Sequence, residues 1–80
     1  MECYILLETA VGSAKVVTDE LKRLVLPEGI NLVSTNRITG PYDVIVKLRG
    51  EDRNRLVASA DQLNQFRNVV RSTTCPVEIG

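Results

Sequence analysis

Side chains that commonly do chemistry are few in this chain of 80 residues. Histidine, the usual general base near neutral pH, is absent. The two cysteines, Cys3 and Cys75, are too few for a disulfide framework, and without histidine they form no Cys/His zinc site. The five glycines stand singly, and no phosphate loop, nucleophile elbow or carboxylate pair of catalytic spacing occurs. The sequence therefore predicts a binding protein rather than an enzyme, with no cofactor and no metal.

Length and charge describe one small domain over 1–80 with a marginal core. A chain of this size buries only about 60% of its unfolded surface, so oligomerisation is the expected source of added stability. Ten basic residues balance ten acidic ones, so the chain lacks the excess of positive charge that is typical of nucleic-acid-binding domains. The longest apolar run, Cys3 to Leu7, is too short to span a bilayer, and no signal peptide is visible. We expect a cytoplasmic protein that contacts neither DNA nor membrane.

Apolar periodicity divides the chain into six elements. Short runs of strand formers predict four strands, over 3–9, 30–39, 42–49 and 69–79. Helical spacing predicts a helix from Ala14 to the stop at Pro27-Glu28-Gly29 and a second one after Asp52, with Ser13 and Asp52 as N-caps. The apolar stripes of these helices are Ala14, Val17, Leu21 and Leu24, and Leu56, Val57, Ala60, Leu63 and Phe66.

The order β-α-β-β-α-β predicts an α+β, ferredoxin-like fold, a four-stranded antiparallel sheet with two helices on one face. The first and third strands are apolar on both alternating phases, so they belong in the centre of the sheet. The second strand is more polar and the last contains Pro76, which places both at edges. Because two helices cover only one face, a second copy of the sheet is the simplest cover for the other. We expect a sheet-to-sheet homodimer.

Two segments resemble a known family. Residues 37–47, Arg-Ile-Thr-Gly-Pro-Tyr-Asp-Val-Ile-Val-Lys, are similar to the signature of the ligand-binding (RAM or AsnC-type) domain of the Lrp/AsnC transcription regulators. In that family a Thr-Gly-x-Tyr-Asp segment joins the second and third strands. Residues 70–74, Val-Arg-Ser-Thr-Thr, are similar to its Val-x-Ser-Thr stretch in the last strand. The resemblance implies a stand-alone ligand-binding domain without the amino-terminal helix-turn-helix domain of full-length members.

The resemblance also implies a function. Such domains form dimers that often close into octamer-like rings, bind amino acids between subunits and associate with full-length Lrp/AsnC regulators. By position, Gly40, Pro41 and Tyr42 would offer backbone groups and a wall to the ligand. Asp43 would accept hydrogen bonds from an α-ammonium group or order the neighbouring loop. The hydroxyls of Ser72, Thr73 and Thr74 would meet the α-carboxylate or a polar side chain of the ligand.

Simpler interpretations remain open for each of these residues. Gly40-Pro41 is a turn in any fold, Tyr42 suits a core or an interface, and Asp43 could cap backbone amides. The hydroxyl run 72–74 could serve only as strand formers. The whole chain could be a purely structural interaction module. A small dimeric α/β-barrel enzyme of the monooxygenase kind is a further alternative, against which the 4% aromatic fraction counts. Both cysteines are expected as free thiols.

Overall fold

The structure, a computed structural model, describes residues 1–77. In this range the strands are β1 (Glu2–Thr9), β2 (Ile30–Arg37), β3 (Val44–Gly50) and β4 (Val69–Pro76). The helices are α1 (Ala14–Lys22) and α2 (Arg53–Gln62), and a short 3-10 helix (Leu63–Gln65) continues α2. The predicted element order is confirmed, and the fold is α+β of the ferredoxin-like type.

All four strands pair antiparallel in one sheet of order β2-β3-β1-β4. The two strands that are apolar on both phases, β1 and β3, therefore lie in the centre, as predicted. The polar strand β2 and the proline-containing strand β4 form the two edges. Pro76 stands opposite Cys3, and the next residue, Val77, still donates its backbone N–H to the Glu2 carbonyl at 3.0 Å, so the edge strand accommodates the proline without losing this bond to β1. The predicted extension of this strand to Ile79 lies outside the described residues.

Both helices pack on one face of the sheet and form a single core with it. The buried apolar residues of this core are Cys3, Ile5, Leu7, Val17, Leu21, Ile30, Val44, Val46, Leu48, Leu56, Ala60 and Leu63. In β1 every second residue is buried, so the strand faces the helices with one phase and leaves the other uncovered. Neither helix of the described residues has the length and apolar content needed for a membrane crossing.

The two helix caps behave differently. The Asp52 side chain accepts hydrogen bonds from the backbone N–H groups of Asn54 at 2.9 Å and Arg55 at 3.2 Å, so the predicted cap is confirmed. Ser13 occupies the cap position of α1 but makes no side-chain cap bond. Its ψ of −1° differs from the extended conformation that a side-chain cap needs. The Ser13 N–H instead donates to the Ala10 carbonyl at 2.9 Å.

Both helices are shorter than the periodicity predicted. Helix α1 ends at Lys22 rather than at Pro27, because the N–H of Arg23 bonds to the Glu20 carbonyl and tightens the last turn. Leu24, which was expected on the helical stripe, packs against the core from the irregular segment that follows. Residue Phe66 likewise packs there in an extended conformation after the 3-10 helix.

The cysteines are free thiols, as expected. Cys3 is paired in register with Pro76, whereas Cys75 is paired with Tyr4. Since successive strand residues point to opposite faces, the two thiols lie on opposite sides of the sheet. They therefore do not face each other across the paired strands β1 and β4. Burial raises the pKa of the Cys3 thiol.

Candidate functional site

The turn between β2 and β3 contains the first group of predicted site residues. A backbone hydrogen bond from Ile38 N–H to the Asp43 carbonyl, at 2.9 Å, closes its base. Gly40 has φ of +116°, a region that L side chains rarely adopt, although the space around it is open. Gly40 and Pro41 are exposed. Gly40 therefore allows the backbone conformation of the turn. The side-chain contacts between the turn and the sheet come from Tyr42 and Asp43.

Asp43 ties the turn to the end of β1. Its carboxylate oxygen Oδ2 accepts a hydrogen bond from the Thr9 backbone N–H at 2.8 Å and a second from the Thr9 hydroxyl at 3.3 Å. The backbone N–H of Asp43 donates to the Leu7 carbonyl at 2.8 Å. The backbone-capping interpretation of Asp43 is therefore realised in this structure. The other carboxylate oxygen, Oδ1, has no hydrogen-bond partner among residues 1–77.

Tyr42 reaches the opposite edge of the sheet. Its hydroxyl and the hydroxyl of Thr73 are 2.6 Å apart, a short hydrogen bond in which either oxygen can donate. The Arg71 guanidinium lies 4.9 Å from the centre of the Tyr42 ring, within the range of a cation–π contact. Arg71 also pairs with Glu8, at 3.6 Å. The two motif segments thus meet through Tyr42, which contacts both Thr73 and Arg71.

The three predicted hydroxyls do not lie on one side of the sheet. Ser72 is paired in register with the buried Leu7, and Thr74 donates to Asp61 of α2 at 2.9 Å. Both side chains therefore lie on the helix-covered face, while Thr73 lies on the uncovered face with Tyr42. Because these hydroxyls lie on opposite faces of the sheet, a single ligand carboxylate does not contact all three within one subunit.

The uncovered face has an apolar centre and charged ends. Leu6 and Ile45 are paired in register across β1 and β3, and both are only partly buried. At one end Glu2 pairs with Arg49 at 2.6 Å and with Lys47 at 3.3 Å. These cations, Arg49 above all, hold the pKa of Glu2 below its ordinary value, and Glu2 in turn raises the pKa of Lys47. The pair of Glu8 with Arg71 stands at the other end.

Three grooves open on the surface of the described residues. The one nearest the motif has a volume of about 430 Å³ and is lined by Thr9, Ala10, Val11, Gly12, Ala14, Lys15, Arg37 and Asp43. A larger groove of about 640 Å³ lies at the opposite end of the sheet, around Ile30, Gly50 and Arg55. The third, of about 390 Å³, is mostly apolar and lies between the end of α1 and the 3-10 helix. Residues 1–77 bring together no group of three or more acidic or thiol side chains that could hold a metal ion.

Comparison with known proteins identifies the fold. No protein-family model and no curated protein matches the chain. The hypothetical protein PHS023 from Pyrococcus horikoshii superposes with a TM-score of 0.76 at 21% identity, over 99% of this chain and 90% of that one. FFRP-DM1 gives a TM-score of 0.66 at 24% identity, over 91% of this chain and 92% of that one. The chain therefore shares the fold of these two proteins.

A longer structure also shares this fold. MtbAldR superposes with a TM-score of 0.70 at 11% identity and covers 99% of this chain. This chain spans only about half of that protein, 52% of its length. At these identities the similarity establishes the fold, and the function has to be argued from the residues of this chain.

Three residues outside the predicted site contact its side chains or line the same groove. Arg71 was present in the quoted last-strand segment, and its alternation with Thr73 places both on the same face. Thr9 precedes its partner Asp43 by 34 positions, and nothing local in the sequence marks that contact. Arg37 was part of the signature segment, but only the folded chain places it in one groove with Asp43.

Proposed function

We propose that this chain is an effector-binding and oligomerisation module that binds an amino acid and modulates transcription regulators of the same fold. One observation carries the proposal. Tyr42 and Asp43 are adjacent in the turn, yet the first bonds to Thr73 on the uncovered sheet face and the second lines the groove beside Thr9. A ligand bound at Asp43 would therefore contact the same turn that places Tyr42 on the uncovered face.

The uncovered face supports assembly into a homodimer. Leu6 and Ile45 form its apolar centre, and both acidic and basic groups surround them. A two-fold axis through such a face lets apolar centres meet and each acidic group approach a basic one, which is the self-complementarity that a dimer needs. Rings of dimers, up to octamers, and mixed assemblies with full-length Lrp/AsnC regulators are the larger complexes that we propose from the resemblance.

The Asp43 carboxylate supports binding of an amino acid. Its Oδ1 atom is open to an α-ammonium group, while Oδ2 is engaged with Thr9. A charge-assisted hydrogen bond at a partly dried site contributes about 1.5–3 kcal/mol. We therefore expect Asp43→Asn to weaken amino-acid binding by about ten-fold to a hundred-fold, as measured by calorimetric titration after a screen of the twenty amino acids at millimolar concentration.

The same variant separates sensing from capping. Asparagine keeps a carbonyl oxygen that can accept the Thr9 N–H, so the fold and the assembly should survive. If Asp43 only holds the turn, the substitution leaves the affinity of the folded protein unchanged. If the wild-type chain binds none of the twenty amino acids, the sensing function fails and the uncovered face alone supports a purely structural interaction module.

Direct DNA binding is not part of the proposed function. Ten basic and ten acidic residues leave no net charge, and α1 and α2 both bury a face in the core. A gel-shift titration at physiological salt should show no sequence-dependent retardation by the purified chain. We also propose a cytoplasmic location, where the module would meet such regulators.

A further inference from the structure

The groove between the end of α1 and the 3-10 helix has an apolar wall and no charged residue in its lining. Leu24 and Leu26 line it from the segment that follows α1, while Leu63 and Phe66 line it from the segment that follows α2. Three of these side chains, Leu24, Leu26 and Phe66, are only partly buried. An apolar molecule in the groove would remove their surface from water, whereas a charged molecule would lose hydration without gaining an ionic partner.

Ser59 gives this wall a polar group without a partner. The residue lies in α2, borders the groove and keeps only 6% of its surface exposed. Its hydroxyl makes no hydrogen bond within residues 1–77, whereas the hydroxyl of Thr18, which is exposed to the same extent, donates to the Lys15 carbonyl at 2.8 Å. A hydroxyl buried to this degree is normally hydrogen-bonded, so Ser59 has one hydrogen bond to offer to a molecule in the groove.

The Ser59 oxygen is also within reach of such a molecule. In the part of the chain that the structure describes, the side-chain oxygen that is fully enclosed and unpaired belongs to Thr35. Because the Ser59 oxygen is unpaired but not enclosed in this way, it keeps some surface, and the groove is the opening that Ser59 borders.

We propose that this groove binds a neutral small molecule with a branched aliphatic or aromatic body and one hydroxyl or carbonyl group. The body would lie against Leu24, Leu26 and Phe66, and the polar group would form the hydrogen bond that Ser59 leaves open. A few polar groups in a mostly apolar wall are typical of small-molecule sites. The volume of about 390 Å³ lies near the lower end of the range for such sites, so the ligand is a small one.

This site is separate from the amino-acid site of the proposed function. The groove shares no lining residue with the groove beside Asp43. It lies on the helix side of the sheet, so a second copy on the uncovered face leaves it open. A free amino acid carries two charges and is a poor ligand for an uncharged wall. Failure of the amino-acid function would therefore leave this proposal standing.

Three probes with one branched carbon skeleton test the proposal. Isopentyl alcohol is neutral, isovalerate is an anion and isopentylammonium is a cation. Titrations followed by two-dimensional amide NMR of the isotope-labelled chain report the affinity and the place of binding together. We expect isopentyl alcohol to shift the signals of Ser59, Leu63 and Phe66 and to saturate with a Kd on the order of 1–10 mM, as suits so small a ligand. The two charged probes should bind about ten-fold more weakly or less.

Variants of the wall test the contacts. Ser59→Ala removes the hydroxyl but keeps a good helix former, so circular dichroism should show a normal fold, while isopentyl alcohol binds about two-fold to ten-fold more weakly. Ser13→Ala is the matched control, because that side chain makes no cap bond and lies outside the groove, and it should bind as the wild type does. Gln62→Glu adds a carboxylate at an exposed position of the wall and should strengthen isopentylammonium binding by about two-fold to five-fold.

The outcomes that would overturn the proposal are distinct. Shifts from isopentyl alcohol that do not saturate, or that appear around Thr9 and Asp43 instead of Ser59, would contradict the site. Equal affinities of the wild type for the three probes would contradict the neutral class of ligand. Equal binding of isopentyl alcohol by Ser59→Ala and the wild type would overturn the hydrogen bond assigned to Ser59.

Discussion

The two faces of the sheet are built from the same strands but differ in what covers them. On the helix side, Ile5 and Leu7 of β1 have no exposed surface. Leu6, which stands between them, lies on the other face and is only partly buried. The covered face is packed by α1 and α2, whereas the uncovered face carries Tyr42 from the β2–β3 turn, the contact of Lys47 with Tyr4, and a few ion pairs.

This difference shows how a small chain divides stability and function between two surfaces. Apolar burial on the covered face accounts for the folded core, and that burial needs no partner. The uncovered face keeps apolar side chains in its centre and carries the contacts of Tyr42. Because a chain of this size has a small core, we propose that the apolar side chains left on the uncovered face form an interface with a second copy.

The largest expected effect comes from truncating one leucine on each face. Leu7→Ala leaves a cavity in the packed core and should lower the free energy of unfolding by about 2–5 kcal/mol. Leu6→Ala removes a side chain that is partly exposed in the single chain, so it should lower the free energy of unfolding of the monomer by less than Leu7→Ala does. Urea denaturation at low protein concentration, where dimers are least populated, measures both values. Equal losses for the two variants would contradict the proposed contrast between the faces.

A smaller effect is expected for the contact between the turn and β4. Tyr42→Phe removes the hydroxyl that lies 2.6 Å from the Thr73 hydroxyl but keeps the ring under Arg71. We expect a loss of about 0.5–1.5 kcal/mol in the free energy of unfolding. Thr73→Val should cost a similar amount, and the double variant should cost less than the sum. Additive losses would show that the two hydroxyls do not interact in solution.

The smallest effect concerns the pH dependence of the ion pairs at Glu2. Arg49 and Lys47 lower the pKa of Glu2 in the folded chain, so the stabilisation is present above the pKa of the unfolded chain. It is lost as the pH falls through the lowered pKa of the folded chain. Between about pH 6 and pH 3, the melting temperature of the wild type should fall slightly more than that of Glu2→Gln. Parallel curves would show that these exposed pairs contribute nothing measurable.

The order of the strands could be predicted from the sequence because the central strands have apolar residues at both alternating sets of positions. The apolar runs around Ile5 and Val46 placed β1 and β3 in the centre, and Pro76 placed β4 at an edge. The end of α1 was harder to predict, since Leu24 continues the apolar spacing but packs on the core from irregular backbone. Tertiary contacts rather than helical spacing determine where that helix stops.

The candidate site was predictable only in part. The turn residues Tyr42 and Asp43 carry a motif, and the structure gives each of them a specific partner. The run 72–74 looked like one group of hydroxyls, although alternation along a strand sends neighbouring side chains to opposite faces. The contact of Asp43 with Thr9 joins positions 34 residues apart and depends on the register of the sheet, which no local pattern contains.

Sedimentation equilibrium at micromolar concentration tests most directly whether a second copy covers the uncovered face. The wild-type chain should sediment as a dimer of twice 8.9 kDa or as a larger assembly of dimers. Leu6→Glu places a charge in the centre of the uncovered face and should shift the protein to a folded monomer. A wild-type chain that stays folded at 8.9 kDa would contradict the account, as would a Leu6→Glu variant that associates as strongly as the wild type.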